Sequence, residues 1–267
     1  MCLLFLSYKT TPGYRLVVAA NRDEFLNRPA ASLDFIGRDK CILAGLDLEG
    51  GGTWLGVNKE GKFAALTNYR EGGTQMENAP SRGEIICSYL SSSIPGDNFL
   101  HELKKTASTY NGFNLVLGEG EELFYYTNKH NSHIRLEPGF YGLSNHLLDT
   151  PWPKLSRGKD LLRPAMVETG EVKPGEIFSL LRDQFSPPDN LLPDTGIGLE
   201  WERLLGSIFI KSPLYGTRSS AVITFKDNGQ VNFAETTYLK PGAELSAQGH
   251  PFKSQVINLS FNLCPFV

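Results

Sequence analysis

Residues 1–25 read Met1-Cys2-Leu3-Leu4-Phe5-Leu6-Ser7-Tyr8-Lys9-Thr10-Thr11-Pro12-Gly13-Tyr14-Arg15-Leu16-Val17-Val18-Ala19-Ala20-Asn21-Arg22-Asp23-Glu24-Phe25. Cys2 to Tyr8 is apolar with little alternation, the pattern of a strand buried on both faces. Thr11-Pro12-Gly13 is turn chemistry, and Arg15 to Ala20 is a second strand, so residues 2–20 predict an opening hairpin. The end of the second strand of a hairpin lies beside the start of the first. Arg22 and Asp23 are therefore expected near Cys2. Loss of Met1 would leave a thiol and a free α-amine on Cys2, and its small side chain suits methionine aminopeptidase. Such an amine, with a reference pKa near 7.7–8.0, is roughly 10% neutral at pH 7 and can take a proton. The thiol is nucleophilic even at a few per cent thiolate. A cation beside it favours the thiolate, and a carboxylate can orient the amine. The plainer reading is a small buried hydrophobe followed by a charged turn.

Working outward, the chain turns irregular through Asn27-Arg28-Pro29 and then carries Gly50, Gly51 and Gly52. Trp54 to Asn58 and Lys62 to Asn68 predict a second hairpin. Ser81 with Glu84 reads as a capping box opening a helix to about Ser92. Asp97 is read as the cap of a second helix, with Leu100, Leu103, Ala107 and Tyr110 on one stripe. Strands are expected over 113–118, 122–127 and 139–145, and helices over 152–168 and 176–185. The proline-bearing stretch 186–198 reads as a long surface loop able to cover a site. Residues 218–225 and 231–238 flank Asp227-Asn228-Gly229 as a strong hairpin, and 255–263 is a last strand. Strands, helices, strands, helices and strands in that order argue for an α+β layered domain. No linker or repeat divides the chain, so one domain spanning 1–267 is expected.

Composition narrows the function classes. Hydrophobic residues make up 40% and charged residues 21%, which excludes a disordered or fibrous chain. Net charge is −3 with no basic run, so nucleic acid is not an expected partner. No stretch approaches the roughly 20 apolar residues of a membrane helix. The apolar run at the start is too short for a signal peptide, and a cytoplasmic location is expected. Four cysteines without a CxxC pair suggest neither zinc nor a disulfide framework. His130 and His133 read as a hairpin tip without a ligand set, and no metal or cofactor is expected. Asn68 and Asn145 each end a predicted strand, where an amide can donate to an oxyanion or simply favour a turn. Arg218 opens a strand and can bind a carboxylate or steady a nucleophile.

Ala19-Ala20-Asn21-Arg22-Asp23-Glu24-Phe25, Gly52-Thr53-Trp54-Leu55-Gly56, Ala64-Ala65-Leu66-Thr67-Asn68-Tyr69, Asn111-Gly112-Phe113-Asn114, Tyr141-Gly142-Leu143-Ser144-Asn145, Pro151-Trp152-Lys154 and Tyr215-Gly216-Thr217-Arg218 occur in order after Met1-Cys2. Together they resemble the NRDE family, that of transport and Golgi organisation protein 2. The resemblance implies a four-layer αββα sandwich of the N-terminal nucleophile hydrolase type, similar to the branch of bile salt hydrolase and penicillin V acylase. It implies an N-terminal-cysteine amidohydrolase or acyl-transfer enzyme acting on a small-molecule amide or acyl substrate. In that reading Cys2 is the nucleophile, Asn68 an oxyanion donor, Asp23 holds the amine and Arg22 steadies the thiolate. Asn145 and Arg218 complete the site. That branch separates its early Arg and Asp by two residues, whereas Arg22 and Asp23 are adjacent. Adjacent strand residues face opposite sides, so one alone points toward Cys2 unless the strand ends or bulges. The family is also linked to Golgi organisation, secretion, lipid metabolism, mitochondria and haem mobilisation. The alternative is a non-catalytic protein binding haem or an acyl ligand in the same pocket.

Overall fold

The computed structural model describes residues 2–37, 40–73, 75–238 and 254–263. β1 (Cys2–Thr11) and β2 (Tyr14–Phe25) form the expected hairpin, with Gly13 at φ 78° in its turn, where a side chain would be strained. β2 runs straight on through Asn21-Arg22-Asp23-Glu24 instead of ending before it. β3 (Ala30–Ile36) and β4 (Ile42–Asp47) occupy the stretch between Pro29 and the glycine cluster, to which the sequence assigns no element. β5 (Leu55–Asn58) and β6 (Phe63–Asn68) are the second hairpin. α1 (Gly83–Ser91) and α2 (Gly96–Leu103) follow, then β7 (Phe113–Glu119), β8 (Glu122–Thr127), β9 (Ser132–Arg135) and β10 (Gly139–Leu143). α3 (Pro153–Met166) and α4 (Pro174–Leu180) match the expected helices, while α5 (Leu199–Leu205) was not foreseen. β11 (Tyr215–Lys226), β12 (Gln230–Tyr238) and β13 (Ser254–Asn262) close the described chain.

Two expected caps are absent. Ser81 sends its hydroxyl to the Gly51 carbonyl instead of the helix, and Arg82 occupies the N-cap without a side-chain bond. Asp97 lies inside the first turn of α2, after Pro95 at the cap.

All pairings are antiparallel. One sheet has the order β10-β1-β2-β11-β12-β13, the other β3-β4-β5-β6-β7-β8-β9. Side-chain alternation then builds the layers. Leu4, Leu6, Tyr8, Val18 and Ile223 of the first sheet meet Leu43, Val57, Phe63, Ala65 and Val116 of the second in one core between the sheets. Leu3, Phe5, Val17, Ala19 and Val222 point the other way, onto Leu155, Leu162 and Met166 of α3 and Ile177 of α4. Ala64, Leu66, Leu115 and Leu117 turn from the second sheet onto Ile85, Ile86 and Tyr89 of α1 and Leu100 of α2. The result is four layers: α3 and α4, a six-stranded sheet, a seven-stranded sheet, α1 and α2. The unbroken apolar run of β1 is explained, since it has a core on each face.

Candidate active site

Cys2 begins β1 and Arg22 pairs with it directly across β2. By alternation both share the face of Leu4 and Ala20, which looks between the sheets. There the buried Arg22 guanidinium donates from Nη2 to Asp47 Oδ2 at 2.9 Å and lies 4.2 Å over the Trp54 ring. Arg28 Nε donates to the same oxygen at 2.8 Å. Burial works to raise the Asp47 carboxyl, but Arg28, the Gly50 N–H and Arg22 hold it below the ordinary range.

Asp23 takes the opposite face, that of Ala19 and the α3 layer. It is fully buried, accepts from Thr217 Oγ1 at 2.7 Å, and its backbone carbonyl accepts from the Tyr215 hydroxyl at 2.8 Å. The register of β11 against β2 slips between Thr217 and Ser219, leaving Arg218 as the extra residue of a bulge. The irregularity is thus on the partner strand, and adjacent Arg22 and Asp23 do face opposite sides.

A cleft of about 1000 Å³ opens where the strands end, lined by Cys2, Arg22, Asp23, Trp54, Asn68 and Tyr215 among others. Asn145 and Arg218 stand behind it and are not among its described lining. Buried Asn145 donates from Nδ2 to the Asn68 carbonyl at 3.0 Å, and its own carbonyl accepts the Arg70 N–H at 2.6 Å. Arg218 donates from Nη1 to the carbonyls of Phe25 and Arg28, at 2.9 and 2.7 Å, pinning the turn after β2. The 186–198 stretch does reach the site: Gly196 and Ile197 line the cleft, and the Thr195 carbonyl accepts the Gly72 N–H at 2.6 Å.

The charge pattern under the cleft was not read from the sequence. Arg70 donates from Nη1 to Glu202 Oε2 at 2.7 Å, and both side chains are buried. Lys154, on α3, is buried as well. Burial, reinforced by Arg70, lowers its ammonium to about 8, against the pull of Asp23 and Glu202. Burial raises the Asp23 carboxyl, opposed mainly by Lys154. Burial likewise raises the Cys2 thiol, reinforced by Asp23 and opposed by Arg22. Near neutral pH the thiol is therefore protonated and a proton acceptor must accompany any nucleophilic role. The motif containing Trp152 and Lys154 was the available signal for this cluster, but nothing in the sequence says that its lysine is buried.

Two antiparallel sheets stacked between helical layers give the chain a four-layer αββα sandwich. The chain belongs to the Transport and Golgi organisation 2 family, whose pattern matches residues 1–240. It is similar to the Transport and Golgi organization protein 2 homolog of Bos taurus, at 38% identity over 259 residues, covering 90% of this chain and 94% of that protein. The Homo sapiens homolog is 36% identical over the same shares of each chain. The Drosophila melanogaster Transport and Golgi organization protein 2 is 28% identical over 89% of this chain and 92% of its own. Among solved structures, the chain is similar to a Caenorhabditis elegans N-acylethanolamine-hydrolyzing acid amidase ortholog, with TM-score 0.44, 11% identity, and 83% and 92% of the two chains covered. A C2A mutant of conjugated bile acid hydrolase from Clostridium perfringens gives TM-score 0.47 and 12% identity, with 96% of each chain covered. No helix among the described residues is long and apolar enough to cross a membrane.

Proposed function

We propose that the protein is a cysteine amidohydrolase or acyl-transfer enzyme, acting on a small-molecule amide or acyl substrate and working in the cytoplasm. One observation carries this reading: Cys2 pairs with Arg22 at the end of a cleft of about 1000 Å³ that Asn68 also lines. After loss of Met1, the α-amine of Cys2 takes the thiol proton as Sγ attacks the substrate carbonyl. The S–C bond forms, and the carbonyl electrons move onto an oxygen; Asn68, in the lining of the same cleft, offers its amide as the donor. The amine then gives its proton to the departing nitrogen as the C–N bond breaks. Water, deprotonated by the same amine, releases the acid from the thioester, or an acceptor amine or alcohol takes the acyl group instead. Asp23 suits the role of holding that amine although it faces away from the thiol, because an α-amine is a backbone atom lying between the two faces of its strand. Arg22 counters the burial that keeps the thiol protonated.

The intact mass of cell-derived protein tests the reading together with thiol labelling. The expected result is complete loss of Met1 and labelling of residue 2 by an acylating thiol probe, abolished in Cys2→Ala. Met1 retained on every molecule, or labelling unchanged in Cys2→Ala, overturns it.

The half-exposed rim favours a second reading. Phe25 and Trp201 are 47% and 40% exposed and stack edge-on with each other and with Tyr215, an apolar ledge for a planar or acyl ligand such as haem. No histidine is among the described lining residues, so Cys2 would have to ligate iron through a thiolate that burial disfavours. A Soret shift with one equivalent of hemin, lost in Cys2→Ala, supports this reading, and an unshifted band removes it.

A further inference from the structure

Outside the lining of the cleft, α2 and the edge strand β9 bring together three side chains from separate parts of the sequence. Asp97 and His101 lie four residues apart and so share one face of α2. His133 reaches them from β9. Its Nε2 is 2.8 Å from Asp97 Oδ1, and His101 Nε2 is 3.6 Å from Asp97 Oδ2. The three donor atoms all lie within 4.8 Å of one another. The two imidazole rings meet edge-on, 5.1 Å between centroids.

We propose that Asp97, His101 and His133 form a Zn²⁺ site that ties α2 to the edge of the seven-stranded sheet. Two imidazoles and one carboxylate, with water in the fourth position, are a donor set this ion takes. Donors about 2.0–2.2 Å from a tetrahedral metal stand about 3.3 Å from each other. The observed distances are 2.8 and 3.6 Å to the two Asp97 oxygens and at most 4.8 Å within the donor set, so side-chain rotations must draw the donors around the ion. Asp97 and His101 are 49% and 60% exposed at their side chains, which gives the ion and its water a path. The frame is held independently of any metal. The Gly96 N–H donates to Glu119 Oε2 at 2.8 Å at the start of α2. At its end the Lys104 carbonyl accepts from Asn131 Nδ2 at 3.2 Å, and the Tyr126 hydroxyl orients Asn131 at 2.8 Å. One feature limits affinity. His133 Nδ1 is buried and has no hydrogen-bond partner, so the acceptor that usually backs a metal-bound imidazole is missing. Its lack costs roughly 10–100-fold in affinity.

In sequence, His130 and His133 are three apart and have no carboxylate beside them. The missing donors lie some thirty residues earlier, on α2. The test is a calorimetric titration of the full chain with ZnCl₂, paired with Co²⁺ absorption. The expected result is one site, at least roughly 100-fold weaker in His101→Ala and in His133→Ala, since a first ligand matters more than an outer partner. His101 is exposed, so its variant keeps the fold even if His133→Ala does not. Co²⁺ should show visible bands of a four- or five-coordinate N/O site without thiolate charge transfer. Absence of binding at millimolar Zn²⁺, unchanged affinity in His101→Ala, or thiolate charge transfer lost in Cys2→Ala each overturns the proposal.

Discussion

Lys154 carries a charge that the fold makes costly. Its ammonium sits in the α3 layer beneath Cys2, its affinity for a proton lowered to about 8 by burial and by Arg70. Asp23 and Glu202 lie on the other side of the balance, and Asp23 is itself pushed up by burial. The group is a base whose folded value lies below its unfolded one. Below pH 8 both states hold the proton and the cost of burying the charge is paid in full. Between about 8 and 10.4 the unfolded chain binds the proton more tightly, so stability rises with pH. The whole rise is worth roughly 3 kcal/mol, at about 1.4 kcal/mol for each unit of pKa. Urea unfolding at about pH 7.5 and again at about pH 10 should show this gain in the wild type relative to Lys154→Met. Equal pH dependence in the two proteins would mean that the ammonium is solvated in the native state. The comparison matters for the proposed chemistry, because this lysine, with its proton affinity lowered, is within electrostatic reach of both Asp23 and the Cys2 thiol.

At the level of strands and helices, what could be read in advance depended on how local the signal was. The β1–β2 hairpin was legible because an apolar run, a Pro12-Gly13 turn and a second apolar run follow one another without interruption. Its register then put Arg22 opposite Cys2 with no further information. The β11–β12 hairpin was legible for the same reason, around Asn228-Gly229. β3 was not, because it is an edge strand with exposed positions and a register shift between Ala31 and Asp34, which together erase the alternation. α5 is seven residues long and follows a proline-bearing loop, too short for a periodic stripe to show. The box at Ser81 had the correct spacing, but its hydroxyl found the Gly51 carbonyl first. The site divides in the same way. Cys2 and Asn68 sit at strand ends, and the β1–β2 register brings Arg22 and Asp23 beside Cys2. Asn145 lies just past the end of β10 and Arg218 at a bulge inside β11 rather than at its opening, and their hydrogen bonds run to backbone carbonyls behind the cleft. The Arg70–Glu202 pair spans 132 residues and joins a loop to α5, so no spacing in the sequence announces it.

For the whole molecule, the sandwich makes the two sheets depend on each other, and its last described strand shows how. β13 pairs along the full length of β12 at the margin of the six-stranded sheet. Ile257, Leu259 and Phe261 are half-buried against the core between the sheets, alternating with more exposed neighbours. Phe261 meets Phe35 of β3 edge-on at 6.2 Å, so the strand bridges the margins of both sheets. The family pattern ends at residue 240, before β13 begins. A chain cut after Tyr238 therefore keeps every cleft-lining residue but loses this cover. Three half-buried apolar side chains contribute roughly 1 kcal/mol each, about half the value of full burial, and the lost ladder adds to that. Unfolding free energy in urea should fall by roughly 3–5 kcal/mol, with strand content otherwise retained. β12 becomes an unprotected edge carrying Val231 and Phe233, so the shortened chain should also self-associate at concentrations where the full chain does not. Labelling at Cys2 should survive the cut, since α3, β1 and β2 are untouched. An unchanged urea midpoint would show that β13 only lies against the sandwich; loss of labelling together with strand content would show that the margin is needed to hold the sheets in register at the cleft.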